Sequence, residues 1–572
     1  MATVHLNGTR LAPKAPRVPL NRPLMIALTI MFVCATHLFL PNLGGEGLLL
    51  PFNAATWLVF SVAAAIGLYQ LSRHHELRYS KLTLGLLVSC LLLTVPLFYP
   101  DSPYHDAPNR LLGLWAGYGF FVLLQQFKLS NKHKLRLLWL VVVAVTLEAL
   151  LGYAQYFAWL PTDINAPLNH FAPDGVFQHP SVMASFLATG LVLSAYLLTR
   201  QPIKYHQQLS ATSLLYTMPV ITVPLLLVLG SLAGWLGAMI ACILILPYLY
   251  RYAIRQRFVG WLLALMLGVL LGLFMKFQQP LTSESSTPAT YSYQQRFTIA
   301  RQTLDMVIEK PFTGYGYGRF ETQYLLYTAR QHQLNHSYPA GIPALTHPQN
   351  ELLLWMIEGG ALPLIGILFA ALLVLFRIHT AKAGTRLAMF ALFVPIVLHT
   401  QVGSPFALSA IHWITFVILL FWVDQRVARY KAISFGKWYK RLFKISGSAV
   451  WGLTSLYTLS ALHCNTVLTT FEHSTEPDTA SLTPLLAPQR WVEKLDQSRY
   501  AHDLALGIKH QNPHLITPYI AWAQRTLRHT PRPEIYRDLI MAYQAIQDDQ
   551  RANQTRDEAR YLFPHDTFSP SP

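Results

Sequence analysis

Apolar runs of membrane-crossing length alternate with short polar breaks along most of this chain. The runs occupy residues 24–40, 48–71, 82–99, 111–127, 137–160, 180–199, 210–229, 231–250, 258–277, 352–376, 387–401, 405–423 and 446–465. A helix needs about 20 apolar residues to cross a bilayer, so the pattern predicts an all-α polytopic membrane fold with about thirteen transmembrane helices. Two places break the rhythm. Residues 278–351 form a long polar segment between the ninth and tenth runs, and apolar density falls after Val467.

Composition agrees with that class. The chain is 53% hydrophobic and 12% charged, where a soluble domain carries roughly 25% charged residues. The surplus apolar area therefore faces lipid. The net charge of +17 is spread as punctuation between apolar runs rather than gathered in a stripe, which argues against a nucleic-acid partner. With the N-terminus in the cytoplasm, the cytoplasmic segments hold 26 lysines and arginines, and the short loops opposite hold only Arg110. That is a positive-inside distribution.

Five regions follow: a basic cytoplasmic N-terminus (1–23), spans one to nine (24–277), an extracytoplasmic loop (278–351), spans ten to thirteen (352–467) and an extracytoplasmic helical tail (468–572). The run 24–40 follows a basic stretch, as in a signal peptide. No small-residue cleavage site comes after it, so it reads as an uncleaved first span. Cys34, Cys90, Cys242 and Cys464 lie in or beside apolar runs without metal-ligand spacing, and read as small core residues. In a Gram-negative cell the loop side is the periplasm, where no ATP is present. Chemistry there runs on energy already stored in the substrate, as in a lipid-linked diphosphate.

Candidate chemistry concentrates on that side. Thr346-His347-Pro348-Gln349-Asn350-Glu351 abuts the run that begins at Leu352. Asn350 suits a helix N-cap with Pro348 just before it, and the positive end of that helix then faces the loop and suits a phosphate. His347 reads either as a base or cation for the reaction or as an interfacial histidine beside a cap. Arg296 and Arg301 lie on an expected helix 292–309 that ends before Pro311. Gly314-Tyr315-Gly316-Tyr317-Gly318-Arg319 follows, with glycines that allow close backbone approach and tyrosines that offer stacking faces to sugars. Arginine grips phosphate in bidentate fashion; the plainer reading is a solvated loop.

Gly175-Val176-Phe177-Gln178-His179-Pro180 repeats the His-Pro logic at the start of the run 180–199. Two such helix ends on one side could converge on one diphosphate. Gln155 and Glu148 lie inside the run 137–160, where buried polar groups need a partner or a cavity. His37, Asn42, Gly44, Gly45 and Asn53 cluster in the first external loop, and turn formation explains most of them. In the tail, amphipathic segments over 490–562 are broken at Asn512-Pro513, Pro531-Arg532-Pro533 and Phe563-Pro564. The spacing from Ile535 through Ala542, Ala552, Ala559 and Leu562 has the small/large pattern of one tetratricopeptide helix pair. It reads as a cap packed on the external loops or as a docking surface for an acceptor. There is no nucleotide-binding loop, no HExxH and no DxD motif, and acidic residues near the site are few. No metal and no cofactor are expected.

These segments resemble a known family. Leu40-Pro41-Asn42-Leu43-Gly44-Gly45 through Asn53, Phe177-Gln178-His179-Pro180-Ser181, Pro311-Phe312-Thr313-Gly314-Tyr315-Gly316 and His347-Pro348-Gln349-Asn350-Glu351 with Glu358-Gly359-Gly360 look like bacterial protein O-oligosaccharyltransferases. These are pilin glycosylation ligases, relatives of the O-antigen ligases and polymerases. The likeness covers about residues 40 to 470 in the same order.

The resemblance implies a GT-C-like inner-membrane glycosyltransferase. It would take a glycan from an undecaprenyl-diphosphate carrier in the periplasm and place it on Ser or Thr of an exported acceptor protein. Membrane lipids surround it, and no metal is used. The alternative is an O-antigen ligase acting on the lipid A core, or an O-antigen polymerase. His347, Arg296 and Gln178 are the expected catalytic residues. Arg319, Arg301, Gln349, Asn350, His179, Tyr315, Tyr317 and Gln155 are the expected donor-binding residues. Family members often carry His directly before the motif's Asn. Here that position is Gln349, so either His347 takes the role or the role is not strictly a histidine's.

Overall fold

The computed structural model describes residues 20–74, 76–99, 108–159, 173–201, 209–278, 292–474, 477, 479–482 and 486–568. Residues 1–19 of the basic N-terminus and 279–291 of the long loop lie outside them.

The first half is a helical bundle: α1 (Asn21–Val33), α2 (Pro51–His74), α3 (Lys81–Thr94), α4 (Pro108–Gln126), α5 (Asn131–Tyr156), α6 (Pro180–Leu198), α7 (Leu209–Leu229), α8 (Leu232–Tyr252) and α9 (Arg255–Phe277). The loop contributes α10 (Tyr293–Glu309), α11 (Phe320–Leu334) and α12 (Glu351–Gly359). The bundle resumes with α13 (Ala361–Thr380), α14 (Arg386–Ala391), α15 (Val394–Val402), α16 (Pro405–Leu408), α17 (Ala410–Val427) and α18 (Lys437–Glu472). The tail holds α19 (Gln489–Lys509), α20 (Pro513–Leu527), α21 (Pro533–Ala545) and α22 (Asp549–Leu562). A two-stranded antiparallel ribbon, β1 (Glu76–Tyr79) with β2 (Lys431–Ser434), joins two loops that the charge pattern assigns to one face.

Nine helical segments among the described residues are long and apolar enough to cross a bilayer, and the bent pair α14–α15 makes a tenth if counted as one span. The runs 24–40, 111–127 and 446–465 correspond to helices that do not meet that measure. α1 has only 13 residues, α4 carries Arg110 and two glutamines at its ends, and the apolar part of α18 is interleaved with Ser and Thr. The run 352–376 is also not one helix. It breaks at Gly360, whose φ of 73° ends α12 and starts α13. The break is required by packing: a Cβ on Gly360 would stand 2.1 Å from the Phe312 carbonyl oxygen.

α6 is the buried centre, with every residue from Val182 to Leu198 inside. Small residues permit this. A Cβ on Gly190 would meet Val145 of α5, and one on Gly234 of α8 would meet Ala184 of α6 at 2.4 Å each. Side-chain contacts sort the helix ends into two sets. At one, Arg257 donates to the carbonyls of Leu198 and Gln201 (3.2 and 2.7 Å) and Arg377 pairs with Asp424 (3.4 Å). At the other, Tyr317 donates to Leu93 O (2.6 Å), Asn53 to Leu408 O (2.8 Å) and Asn465 to Pro41 O (2.8 Å). The tail helices break at the three proline sites and share one apolar core with α10 and α11, including Ile299, Tyr324, Leu504, Tyr519 and Tyr536.

Gly360→Ala combines a positive-φ penalty with a backbone clash and should cost about 2–4 kcal/mol. Gly230→Ala, at φ 63° with open space around it, should cost about 1 kcal/mol. Thermal unfolding of the two variants in one detergent checks the ordering.

Candidate functional site

Two turns of the same build stand at the loop-side ends of α6 and α12. In each, a glutamine in the left-handed region precedes the cap residue: Gln178 (φ 55°) before His179, and Gln349 (φ 55°) before Asn350. A side-chain-bearing residue there is strained, and such strain persists only where surrounding structure enforces it.

The first turn is enforced from α5. Gln155 donates to Gly175 O (3.1 Å) and accepts from Gly175 N (2.7 Å). Glu148, wholly buried, accepts from Val176 N (3.3 Å) and pairs with Nδ1 of His37 (2.7 Å). Gly175 has φ 66°, and a Cβ there would stand 2.3 Å from Glu148 Oε2, so a side chain at this position is strained and displaces the Glu148 carboxylate. Gln155 and Glu148 thus shape the backbone that presents Gln178 and His179.

The second turn is enforced from α15. Asn350 caps α12 by accepting from Leu353 N (3.0 Å) and donates to Gln401 O (3.0 Å). Arg296, on the first turn of α10, donates to Val402 O (2.8 Å). Both donate to carbonyls at the C-terminal end of α15, which the helix leaves without intrahelical partners. A cation is favoured at that end by the helix dipole.

His347 is 7% exposed. Its Nδ1 lies 2.8 Å from Thr346 Oγ and 3.7 Å from Glu46 Oε1, and its Nε2 lies 3.4 Å from the Gln349 amide nitrogen. Thr346 also donates to Glu46 (3.1 Å). Burial holds the His347 pKa below the usual histidine range; Glu46 opposes that shift and Arg110 adds to it. Burial likewise lowers His179, with Glu46 pulling up and His347 and Arg296 pushing down. His179 therefore sits within electrostatic reach of His347, Arg296 and Glu46. Glu351, nearly buried behind the cap, is pushed up to about 7 by burial, against the charge of Arg110 and the Phe406 N–H.

A chain of buried polar groups links α6, α15 and α17 inside the bundle. Ser409 Oγ meets His412 Nδ1 (2.9 Å), His412 Nε2 meets Ser185 Oγ (3.0 Å), and Ser185 Oγ meets His399 Nδ1 (2.7 Å). His399 Nε2 has no hydrogen-bond partner among the described residues.

The structure thus brings Gln178, His179, Arg296, His347, Gln349 and Asn350 together. Other expected residues stand elsewhere. Arg301 is exposed on α10 and Arg319 is the cap residue of α11. Tyr317 is buried edge-on against Trp355 (5.6 Å), and its hydroxyl is taken by Leu93 O. Tyr315 lies under the Lys310 ammonium (4.8 Å). The Gly-Tyr-Gly backbone packs on the end of α12, with Tyr315 N donating to Ile357 O and Gly316 N to Glu358 O (2.9 Å each). Glu358 in turn pairs with Arg110 and accepts from Phe320 N.

Sequence reasoning missed Glu46 and His399 as parts of this region. The signal for His399 was present, since histidines inside apolar runs need partners. Glu46 carried none, because only folding brings it to His347.

Three family models match parts of the chain. Residues 173–198 match protein glycosylation ligase, 218–368 match O-antigen ligase, and 387–571 match the C-terminal region of virulence factor membrane-bound polymerase. The first covers the Gln178–His179 turn and the second covers Arg296 and the His347–Asn350 turn. No curated protein matches this sequence.

Glu351 yields a pH prediction. Its folded pKa lies above the unfolded carboxyl value, so its contribution is fully present below about pH 4.5 and is lost as pH rises through about 7. Glu351→Gln should therefore gain stability relative to the parent between pH 5 and pH 8, by an amount on the order of 3 kcal/mol. Melting temperatures of both proteins across that range check the sign.

Proposed function

We propose that this chain, a member of the O-antigen ligase/polymerase superfamily with a protein glycosylation ligase-like segment, transfers a glycan en bloc from an undecaprenyl-diphosphate carrier to Ser or Thr of an exported protein such as a pilin. The reaction takes place at the periplasmic face of the inner membrane. One observation carries the reading. His347 lies 3.7 Å from Glu46, and both, with Arg296, act electrostatically on His179 at the N-terminal end of α6.

The acceptor hydroxyl oxygen attacks the anomeric carbon. The bond from that carbon to the diphosphate oxygen breaks, and its electron pair leaves with the carrier diphosphate. Arg296 and the first backbone N–H groups of the two helices face the charge that develops there. Burial keeps His347 neutral near pH 7, so it is able to take the hydroxyl proton. Glu46, 3.7 Å from Nδ1, then stabilises the imidazolium. Gln178, Gln349 and Asn350 supply hydrogen bonds that orient the groups.

A second reading has a specific match behind it. The O-antigen ligase model covers the loop that holds Arg296 and His347, so the same site could serve a lipid A core acceptor. The tail, with four helices packed on α10 and α11, offers a surface on the acceptor side and favours a protein.

The test is co-expression with a lipid-linked glycan and a Ser-rich periplasmic pilin, read by intact mass of the pilin. His347→Ala should lower transfer about 10²- to 10⁴-fold, and Arg296→Ala about 10²- to 10³-fold, at unchanged membrane levels. Glu46→Gln should cost about tenfold, since it removes a charge near the base and not the base itself. Lipid A core modified by the parent protein, with the pilin untouched, would replace the first reading with the second.

A further inference from the structure

α10 exposes the wrong face for a helix surrounded by water. Phe297 (72% exposed), Leu304 (48%) and Ile308 (77%) stand at positions i, i+7 and i+11, and Phe312 (77%) continues the stripe past its end. At about 100° per residue these side chains fall on one narrow edge of the helix. Arg301 projects from the same edge and is also exposed. The opposite edge is fully used: Ile299, Met306 and Val307 enter the core shared with α11 and the tail. Gln302 donates to Pro339 O (2.8 Å), and Thr303 is buried.

The ends of α10 give its level in the membrane. Its first turn is fastened by Arg296 to Val402, the last residue of α15. The turn that follows it is fastened to the ends of two other spans. Tyr317 binds Leu93 O at the end of α3, and Phe312 lies against Gly360 at the start of α13. A helix of 17 residues spans roughly 25 Å. α10 therefore lies across the ends of the spans, in the plane where hydrocarbon gives way to headgroups.

We propose that the exposed edge of α10 is a lipid-binding surface. Phe297, Leu304, Ile308 and Phe312 enter the acyl boundary of the loop-side leaflet, and Arg301 extends to a lipid phosphate. Long cationic side chains bury their stems in apolar surroundings and keep the head at the polar layer, and amphipathic helices of this kind lie in the interface plane. Arg301, which the convergent site leaves out, gains a role here. Apolar side chains near the end of α9, the span that leads into this loop, are exposed as well: Leu270, Phe274 and Phe277. The inference stands apart from the transfer reading, because it concerns where α10 sits and not what the site does.

The test uses the full-length protein in nanodiscs of phosphatidylethanolamine and phosphatidylglycerol. In a Cys34→Ser background, a nitroxide label is placed at Leu304→Cys, at Ile308→Cys and, as an aqueous reference, at Arg528→Cys in the tail. Collision with oxygen and with a water-soluble nickel chelate gives the depth of each label. Labels at 304 and 308 should favour oxygen by at least several-fold over the reference, as they would inside the leaflet. Labels that favour the nickel chelate would overturn the proposal by placing α10 in water. Labels shielded from both reagents would also overturn it, because a protein partner or a second copy would then cover the edge. Retention of the parent's elution profile keeps misfolding separate from these outcomes.

Discussion

The C-terminal end of α15 is the point on which the rest of this arrangement depends. A helix that stops at a membrane boundary leaves carbonyls without partners, and bulk water is not there to satisfy them. Here the long loop reaches back and supplies the donors. Asn350 takes Gln401 O while capping α12, and Arg296 takes Val402 O from the start of α10. One small patch of backbone thus ties two distant loop segments to the bundle and places His347 between them. Loss of that patch would release both helices together.

Burial shapes the chemistry of the region more than any single pair does. His347 and His179 are held toward the neutral form by desolvation, while Glu46 partly offsets it. An imidazole kept neutral beside a carboxylate is a poised proton acceptor, and an arginine at a helix C-terminus stays charged. The two strained glutamine turns add a geometric condition: each immediately precedes the cap residue of a helix N-terminus. The low dielectric around buried groups raises the value of a helix-end dipole. The buried chain from Ser409 to His399 extends the polar character into the bundle through α6, α15 and α17.

The loop answers to two surroundings. One side of α10 and α11 joins the tail in an apolar core that includes Tyr324, Tyr519 and Tyr536. The other side of α10 is apolar as well, yet no protein covers it among the described residues. In the proposed transfer a lipid-borne donor meets an exported acceptor at such a place, and the proposed lipid-facing edge of α10 suits that meeting.

Local pattern was enough to read much of this protein. Helical class, the loop helix 293–309 and the three proline breaks of the tail follow from apolar periodicity and from Ser, Asn and Pro at helix ends. Those signals act within a few residues, and so they survive without tertiary information. The motif residues Gln178, His347 and Asn350 were legible for the same reason, since caps and turns are local. Tertiary structure alone decided the rest. The break at Gly360 exists because Phe312 presses on it, and nothing in the run 352–376 reveals that contact. Glu46 reaches His347 across 301 positions of sequence, and Tyr317 turns inward because Leu93 O needs a donor. Such pairings are set by which helix ends meet at one level of the membrane, and that is a property of packing, not of composition.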